Sequence, residues 1–265
     1  MTLSWSAYRR ARRRSRQAWA VLAFLAVLVA AGIAWFFTAG QFLAVEPAVS
    51  GPNEVPVFDA TWMKPVVPPR PVPEGTAISA LDSLPVKGRA PKNDYDRSAF
   101  GQAWFDADRN GCDTRNDILR RDLSDVAYST GSRCKVSSGT FHEPYAGRVT
   151  TFTRGADSSK AVQIDHVVAL GDAWQKGAAE LTPKQRQNLA NDPLNLIAAD
   201  GPANQEKSAS DAASWLPGNK ALRCHYVARQ ISVKAAYGLW VTQAERDAMG
   251  RVLSSCPGQR TIVAR

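Results

Sequence analysis

The sequence predicts an α+β fold: a mostly helical domain around a small hairpin-and-helix core, preceded by one transmembrane helix. Three observations predict it. Between residues 92 and 265 the apolar residues are periodic rather than continuous, with no internal repeat, as amphipathic helices require. Two short apolar runs, Val162-Gln163-Ile164 and Leu194-Asn195-Leu196-Ile197-Ala198, are followed by Asp200-Gly201-Pro202, a turn that puts proline at the first position of a helix. Residues 18 to 39 carry no charge and follow directly on a cluster of arginines.

The N-terminal elements set the address. Arg9, Arg10, Arg12, Arg13, Arg14 and Arg16 make residues 1 to 17 a basic tail. The span from Ala18 to Ala39 reaches about 33 Å as a helix, enough for a bilayer core of about 30 Å. The positive-inside rule places the tail in the cytoplasm and the rest outside. The span is long for a cleaved signal, whose apolar part is about 7–15 residues. An uncleaved single-pass anchor in the cell membrane is therefore expected, with secretion after cleavage as the alternative. Residues 40 to 91 come next, and ten of the sixteen prolines fall between 46 and 91, so this segment reads as an extended extracellular linker.

Residues 92 to 265 are enough for one domain with its own core. Helices are expected at 114–123, 169–178, 183–190, 202–214, 222–237 and 242–254, and short strands near 148–153, 162–166 and 194–199. Thr182-Pro183 caps one helix and supplies its first-turn proline, and Asn191-Asp192-Pro193 ends it. Thr242 and Glu245 have capping-box spacing. The run Phe141-His142-Glu143-Pro144-Tyr145-Ala146-Gly147 reads as a hairpin turn. The cysteines are Cys112, Cys134, Cys224 and Cys256, an even set that suggests two disulfides in an exported domain. Sequence order favours Cys112–Cys134 and Cys224–Cys256 among three possible pairings. A zinc site lacks the close cysteine pairs it would need. The net charge of +9 divides into +6 for the tail, −1 for the linker and +4 for the domain. Such a domain permits nucleic-acid binding without arguing strongly for it.

The chemistry concentrates at Asp165-His166, followed by Asn195, Asn204 and Lys207. An imidazole is suited to taking a proton from water near neutral pH, which makes His166 the candidate general base. Asp165 and Asn204 can offer oxygen ligands to a hard divalent ion, Mg²⁺ or Mn²⁺, which needs only one or two protein ligands. Lys207, one helical turn after Asn204, and Arg115 are candidate contacts to substrate phosphate, and Arg115 could instead pair with a nearby aspartate. His142, His225, Trp174 and Trp215 read as structural residues.

The runs Ile164-Asp-His-Val-Val-Ala-Leu-Gly-Asp-Ala-Trp174, Asn191-Asp-Pro-Leu-Asn-Leu196 and Asp200-Gly-Pro-Ala-Asn-Gln-Glu-Lys207 resemble the HNH endonucleases of the ββα-metal superfamily. More narrowly they resemble the C-terminal domain of GmrSD-type restriction enzymes. Gly111 to Leu119 and Asp211 to Pro217 also fit, so the resemblance covers roughly residues 92 to 256. Asp165 and Asn204 stand where many members have histidine; both types occur in the superfamily and favour a hard metal over zinc. The resemblance implies a metal-dependent nuclease acting on nucleic acid, DNA before RNA, with Asn195 bracing the segment that carries His166. The alternative is a non-catalytic envelope binding or scaffold protein that keeps the fold.

Overall fold

The computed structural model describes residues 62–64, 66–155 and 158–263, all within the compact unit Pro52–Arg265. The element order is α1 (Ala77–Ser83), α2 (Thr114–Asp122), β1 (Leu123–Tyr128), β2 (Val136–Glu143), β3 (Arg148–Thr153), α3 (Ser158–Ala161), β4 (Val162–His166), α4 (Leu170–Trp174), α5 (Pro183–Asn191), β5 (Leu196–Asp200), α6 (Gly201–Lys207), α7 (Arg223–Tyr237) and α8 (Gln243–Leu253). The α+β reading therefore holds. Among the described residues no helix is long and apolar enough to cross a membrane, and the expected anchor at 18–39 lies outside them.

Among the described residues there are two antiparallel sheets: β1–β2–β3 and the pair β4–β5. In the pair, Ile164 faces Ala198 across the strands, Asp165 faces Ile197, and His166 faces Leu196. The alternation of a strand then decides where each side chain goes. Val162, Ile164, Leu196 and Ala198 join one core with Ile118, Leu119, Phe141 and Phe152 from α2 and the larger sheet. Ile197 and Ala199 join a second core with α1, α7 and α8. The pair is thus buried on both faces.

Helix ends follow local chemistry. Asp113 caps α2 by accepting the Asn116 N–H at 2.9 Å. Thr182 and Gln185 form a reciprocal capping box on α5, with Pro183 at its start. α7 stops at Gly238, whose φ of 66° is left-handed. Both disulfides follow sequence order, Cys112–Cys134 and Cys224–Cys256.

Several expectations are corrected. The folded unit begins before residue 92, because α1 packs Ala77, Ala80 and Leu81 into the core and Met63 and Val66 are buried too. The prolines around α1 suggested a spacer, but they flank a short capped helix. β1 and β2 were not expected, since Gly139 and the polar residues of Val136–Glu143 mask the alternation. The helix expected at 202–214 ends at Lys207, where Ser208 takes a φ of 48°. Thr242 does accept the Glu245 N–H at 3.2 Å. The Glu245 side chain, however, turns inward to Lys176 and Lys234 instead of closing the capping box.

That inward turn belongs to a buried charge network. Lys176 is wholly buried and pairs with Asp172 at 2.7 Å, Asp211 at 2.7 Å and Glu245 at 2.6 Å. Lys234 pairs with Glu245 at 3.0 Å and Asp172 at 3.4 Å. Arg89 reaches Asp172 and Asp211 from the N-terminal segment. Removing one member strands its partners in the interior. Lys176→Met should therefore destabilise the protein by about 3–5 kcal/mol. Urea unfolding monitored by tryptophan fluorescence measures this, and a change below about 1 kcal/mol would contradict the structural role.

Candidate active site

The cleft that holds the Asp165-His166 pair has a volume of about 300 Å³ and is lined by Lys92, Tyr95, Arg97, Asp165, His166 and Asn204 among others. Four elements build it: the segment before Phe100, β4, the turn into α4, and α6.

β4 turns Asp165 and His166 to opposite faces. His166 is buried, and its Nε2 lies 2.9 Å from the Ala190 carbonyl oxygen. A carbonyl only accepts, so this contact assigns the ring proton to Nε2 and leaves Nδ1 with the lone pair. Burial, and then the nearby Arg97 guanidinium, push its pKa down to about 3. The ring is therefore neutral at physiological pH, and it is a weaker base than the near-neutral imidazole expected from the sequence.

Asn195 holds the chain just after His166. Its Oδ1 accepts the Val168 N–H at 2.8 Å, and its Nδ2 donates to the carbonyls of Val168 at 3.3 Å and Leu189 at 3.1 Å. The Asn195 carbonyl accepts the Val167 N–H at 2.7 Å. One side chain thus ties together the end of β4, the C-terminal turn of α5 and the approach to β5. Two arginines fix the approach from the other side. Arg229 donates to the carbonyls of Leu194, Pro193 and Leu196, and Arg121 to those of Pro193 and Leu196. These carbonyls lie in the turn before β5 and at its first residue, and a guanidinium has enough donors to satisfy several of them.

Asp165 is buried between two donors. Its Oδ1 accepts from Lys207 Nζ at 3.0 Å and its Oδ2 from the Tyr145 hydroxyl at 2.6 Å. Burial raises its pKa, against the opposing pull of Lys207 and Tyr145. α6 begins at Asp200, which caps it by accepting the Ala203 N–H at 3.2 Å. Gly201 is required there: a Cβ would stand 2.4 Å from the Lys160 carbonyl oxygen. Asn204, on this helix, donates Nδ2 to Gln163 Oε1 at 2.8 Å, which leaves its carbonyl oxygen as the free acceptor type.

The structure thus brings Asp165, His166 and Asn204 to one cleft, with Asn195 behind it. Two expectations are corrected. Lys207 is wholly buried and donates to Asp165 and to the His166 carbonyl at 2.9 Å, so it is a counter-charge for Asp165 and no phosphate contact. Arg115 donates to the Val162 carbonyl at 3.1 Å, where it braces the start of β4, and it does not line the cleft. Lys92 and Arg97, both exposed, are the cations that do line it. Sequence reasoning missed them because they belong to no motif. The only signal was a charged run from Lys92 to Arg97 beside the expected domain boundary.

Asp165 and Asn204 are oxygen-bearing residues of the cleft lining, and each Asp165 oxygen, though it already accepts one hydrogen bond, keeps a lone pair of the kind a hard metal takes. Among the described residues no three His, Cys, Asp or Glu side chains stand at metal-holding spacing.

Two predictions follow from this geometry. Lys207→Met leaves Asp165 buried without its cation and should cost about 3–5 kcal/mol. Asp165→Asn in the same chain should restore most of that loss, and urea unfolding of the single and double variants measures it. Asp192, which accepts from Tyr237 at 2.7 Å, has its pKa pushed up to about 6 by burial. A carboxyl raised in the folded state contributes stability below about pH 4, and that contribution is lost as pH rises through 6. Asp192→Asn should therefore gain on the wild type by about 1–3 kcal/mol between pH 4 and pH 7, measured by unfolding at both. A gain in the opposite direction would refute the assignment.

The family model of the GmrSD restriction endonuclease C-terminal domain matches residues 113–252, which include α2, both strands of the buried pair, α6 and all four site residues. A protein of Arthroderma benhamiae, named as an uncharacterized secreted protein, is 38% identical over 195 residues, covering 72% of this chain and 91% of its own length. No solved structure matches the chain at a significant level. The chain belongs to the family of GmrSD restriction endonuclease C-terminal domains.

Proposed function

We propose that this protein is an exported, metal-dependent endonuclease of the HNH type that hydrolyses phosphodiester bonds of nucleic acid, DNA before RNA. The observation that carries the reading is the shared cleft of Asp165, His166 and Asn204, with the proton of His166 held on Nε2. His166 Nδ1 takes a proton from water as the water oxygen attacks phosphorus. The bond from phosphorus to the leaving oxygen breaks, and its electron pair leaves with that oxygen, which is protonated from solvent. Asn195 keeps the segment behind His166 in place. Lys92 and Arg97 line the cleft and can meet phosphate oxygens as charges. A hard divalent ion such as Mg²⁺ or Mn²⁺, held by Asp165 and Asn204, would supply Lewis-acid charge at the phosphate.

Export is supported by the two disulfides and by the similar fungal protein, which is named as secreted. Residues 18–39 would anchor the chain in the membrane, with cleavage and release as the alternative. One observation favours the second reading, a non-catalytic binding protein: both Asp165 oxygens already accept hydrogen bonds, as those of a purely structural aspartate would.

A plasmid-nicking assay with and without EDTA decides between them. Cleavage should stop with chelation and return with Mg²⁺ or Mn²⁺. His166→Ala should keep its melting temperature within a few degrees and cut at least about a hundredfold more slowly. Its affinity for DNA and the salt dependence of that affinity should be unchanged. Near-normal cleavage by folded His166→Ala would remove the general-base role, and no metal-dependent cleavage by the wild type would favour the binding protein.

A further inference from the structure

We propose that residues Asp106 to Asp117 form a calcium site of the EF-loop type, outside the cleft and independent of the nuclease reading. The segment reads Asp106-Ala-Asp108-Arg-Asn110-Gly111-Cys112-Asp113-Thr-Arg-Asn-Asp117. Its first, third, fifth and twelfth places are Asp, Asp, Asn and Asp, and its sixth is glycine. That is the ligand order of a twelve-residue EF loop, with Asp in place of the terminal Glu. The backbone takes the matching course. Gly111 has a φ of 88°, Asp106 accepts the N–H groups of Asn110 at 3.1 Å and Gly111 at 2.9 Å, and the loop runs into α2.

A sequence pattern and a folded loop would not be enough. The independent observation is Asp117. It is only 4% exposed, and it has no ammonium or guanidinium partner. Burial, and after it the carboxylates of Asp108, Asp106 and Asp113, push its pKa up to about 7. One contact offsets them, a hydrogen bond to Asp117 from the Asn110 side chain. A buried carboxylate facing three others is costly unless positive charge is brought to it. Among the described residues no lysine or arginine forms an ion pair with Asp117, whereas Asp165 in the cleft has Lys207.

The oxygens available are the carboxylates of Asp106, Asp108 and Asp117, the Asn110 amide oxygen and the Cys112 carbonyl. An all-oxygen set of this size suits Ca²⁺, which accepts six to eight ligands in flexible geometry, better than Mg²⁺, which requires a tight octahedron. Among the described residues no three acidic side chains are yet closed on a point, so binding would draw the loop inward. The disulfide from Cys112 to Cys134 limits that movement by tying the loop's seventh position to the β1–β2 connection.

Calorimetric titration of the full chain with CaCl₂ and, separately, MgCl₂ tests the proposal. The loop should bind one Ca²⁺ with a Kd of about 10⁻⁴–10⁻³ M, the range of extracellular modules, and bind Mg²⁺ at least about tenfold more weakly. Melting temperature should rise with added CaCl₂ until the site saturates. Asp117→Asn should weaken binding at least about tenfold. Asp108→Asn, at a half-exposed position, gives the same reading if Asp117→Asn does not fold. Asn204→Ala, which strands no buried charge, should leave this binding intact while slowing cleavage, which keeps the loop separate from the cleft. No Ca²⁺ binding by the wild type up to about 10 mM, or binding that survives both loop variants and disappears in Asn204→Ala, would overturn the proposal.

Discussion

Two lysine charges buried in the interior constrain the whole arrangement. An ion taken out of water costs several kcal/mol unless partners surround it, so Lys176 and Lys234 can be buried only where Asp172, Asp211 and Glu245 all arrive. These carboxylates come from α4, from the turn after α6 and from α8, and the lysines follow α4 and sit on α7. Arg89 closes the set from the N-terminal side. Moving any one of these elements would leave an unpaired charge in the core. Such a network adds little net stability compared with apolar packing, but it leaves few alternative packings.

The same rule operates on a smaller scale at the cleft. β4 is covered on both faces, so Asp165 has no water to solvate it, and Lys207 and Tyr145 do so in its place. Lys207 also bonds the His166 carbonyl, so the counter-charge of one site residue fixes the backbone of the other. Asn195, Arg121 and Arg229 provide for the polar backbone groups of the turn that leads into β5. The imidazole is therefore positioned by groups that never reach the cleft. Helix α2 links this region to the acidic loop: Asp117 stands in its first turn, and Asp122, at its end, accepts the Ala198 N–H of β5 at 2.7 Å.

Much of this was legible in the chain before folding. Asp165-His166, Asn195 and Asn204 could be found because their spacing places them on two strands and a helix, and local cues mark those elements: Pro202 after a capping Asp200, and the Thr182-Pro183 start of α5. The disulfide pairing followed sequence order. Glu245 misled, because capping-box spacing is a local cue and a buried ammonium outweighed it. Lys207 misled in the same way. A lysine one turn from Asn204 looks solvent-facing until the burial of Asp165 is known. α1 was hidden among prolines, and β1 and β2 lack the clean alternation that marks a half-buried strand.

By itself the sequence determined the α+β class, the helix boundaries that rest on caps and prolines, the two disulfides and the residues of the Asp165-His166 motif. These depend on interactions within a few residues of one another, or on a short-range pattern of polar and apolar positions. Only the tertiary structure decided which charges are buried, which cations line the cleft and which amide braces which turn. Those outcomes depend on solvent exclusion by elements far apart in the chain. Whether a lysine serves as counter-charge or surface contact is set by what packs over it, and no local pattern encodes that.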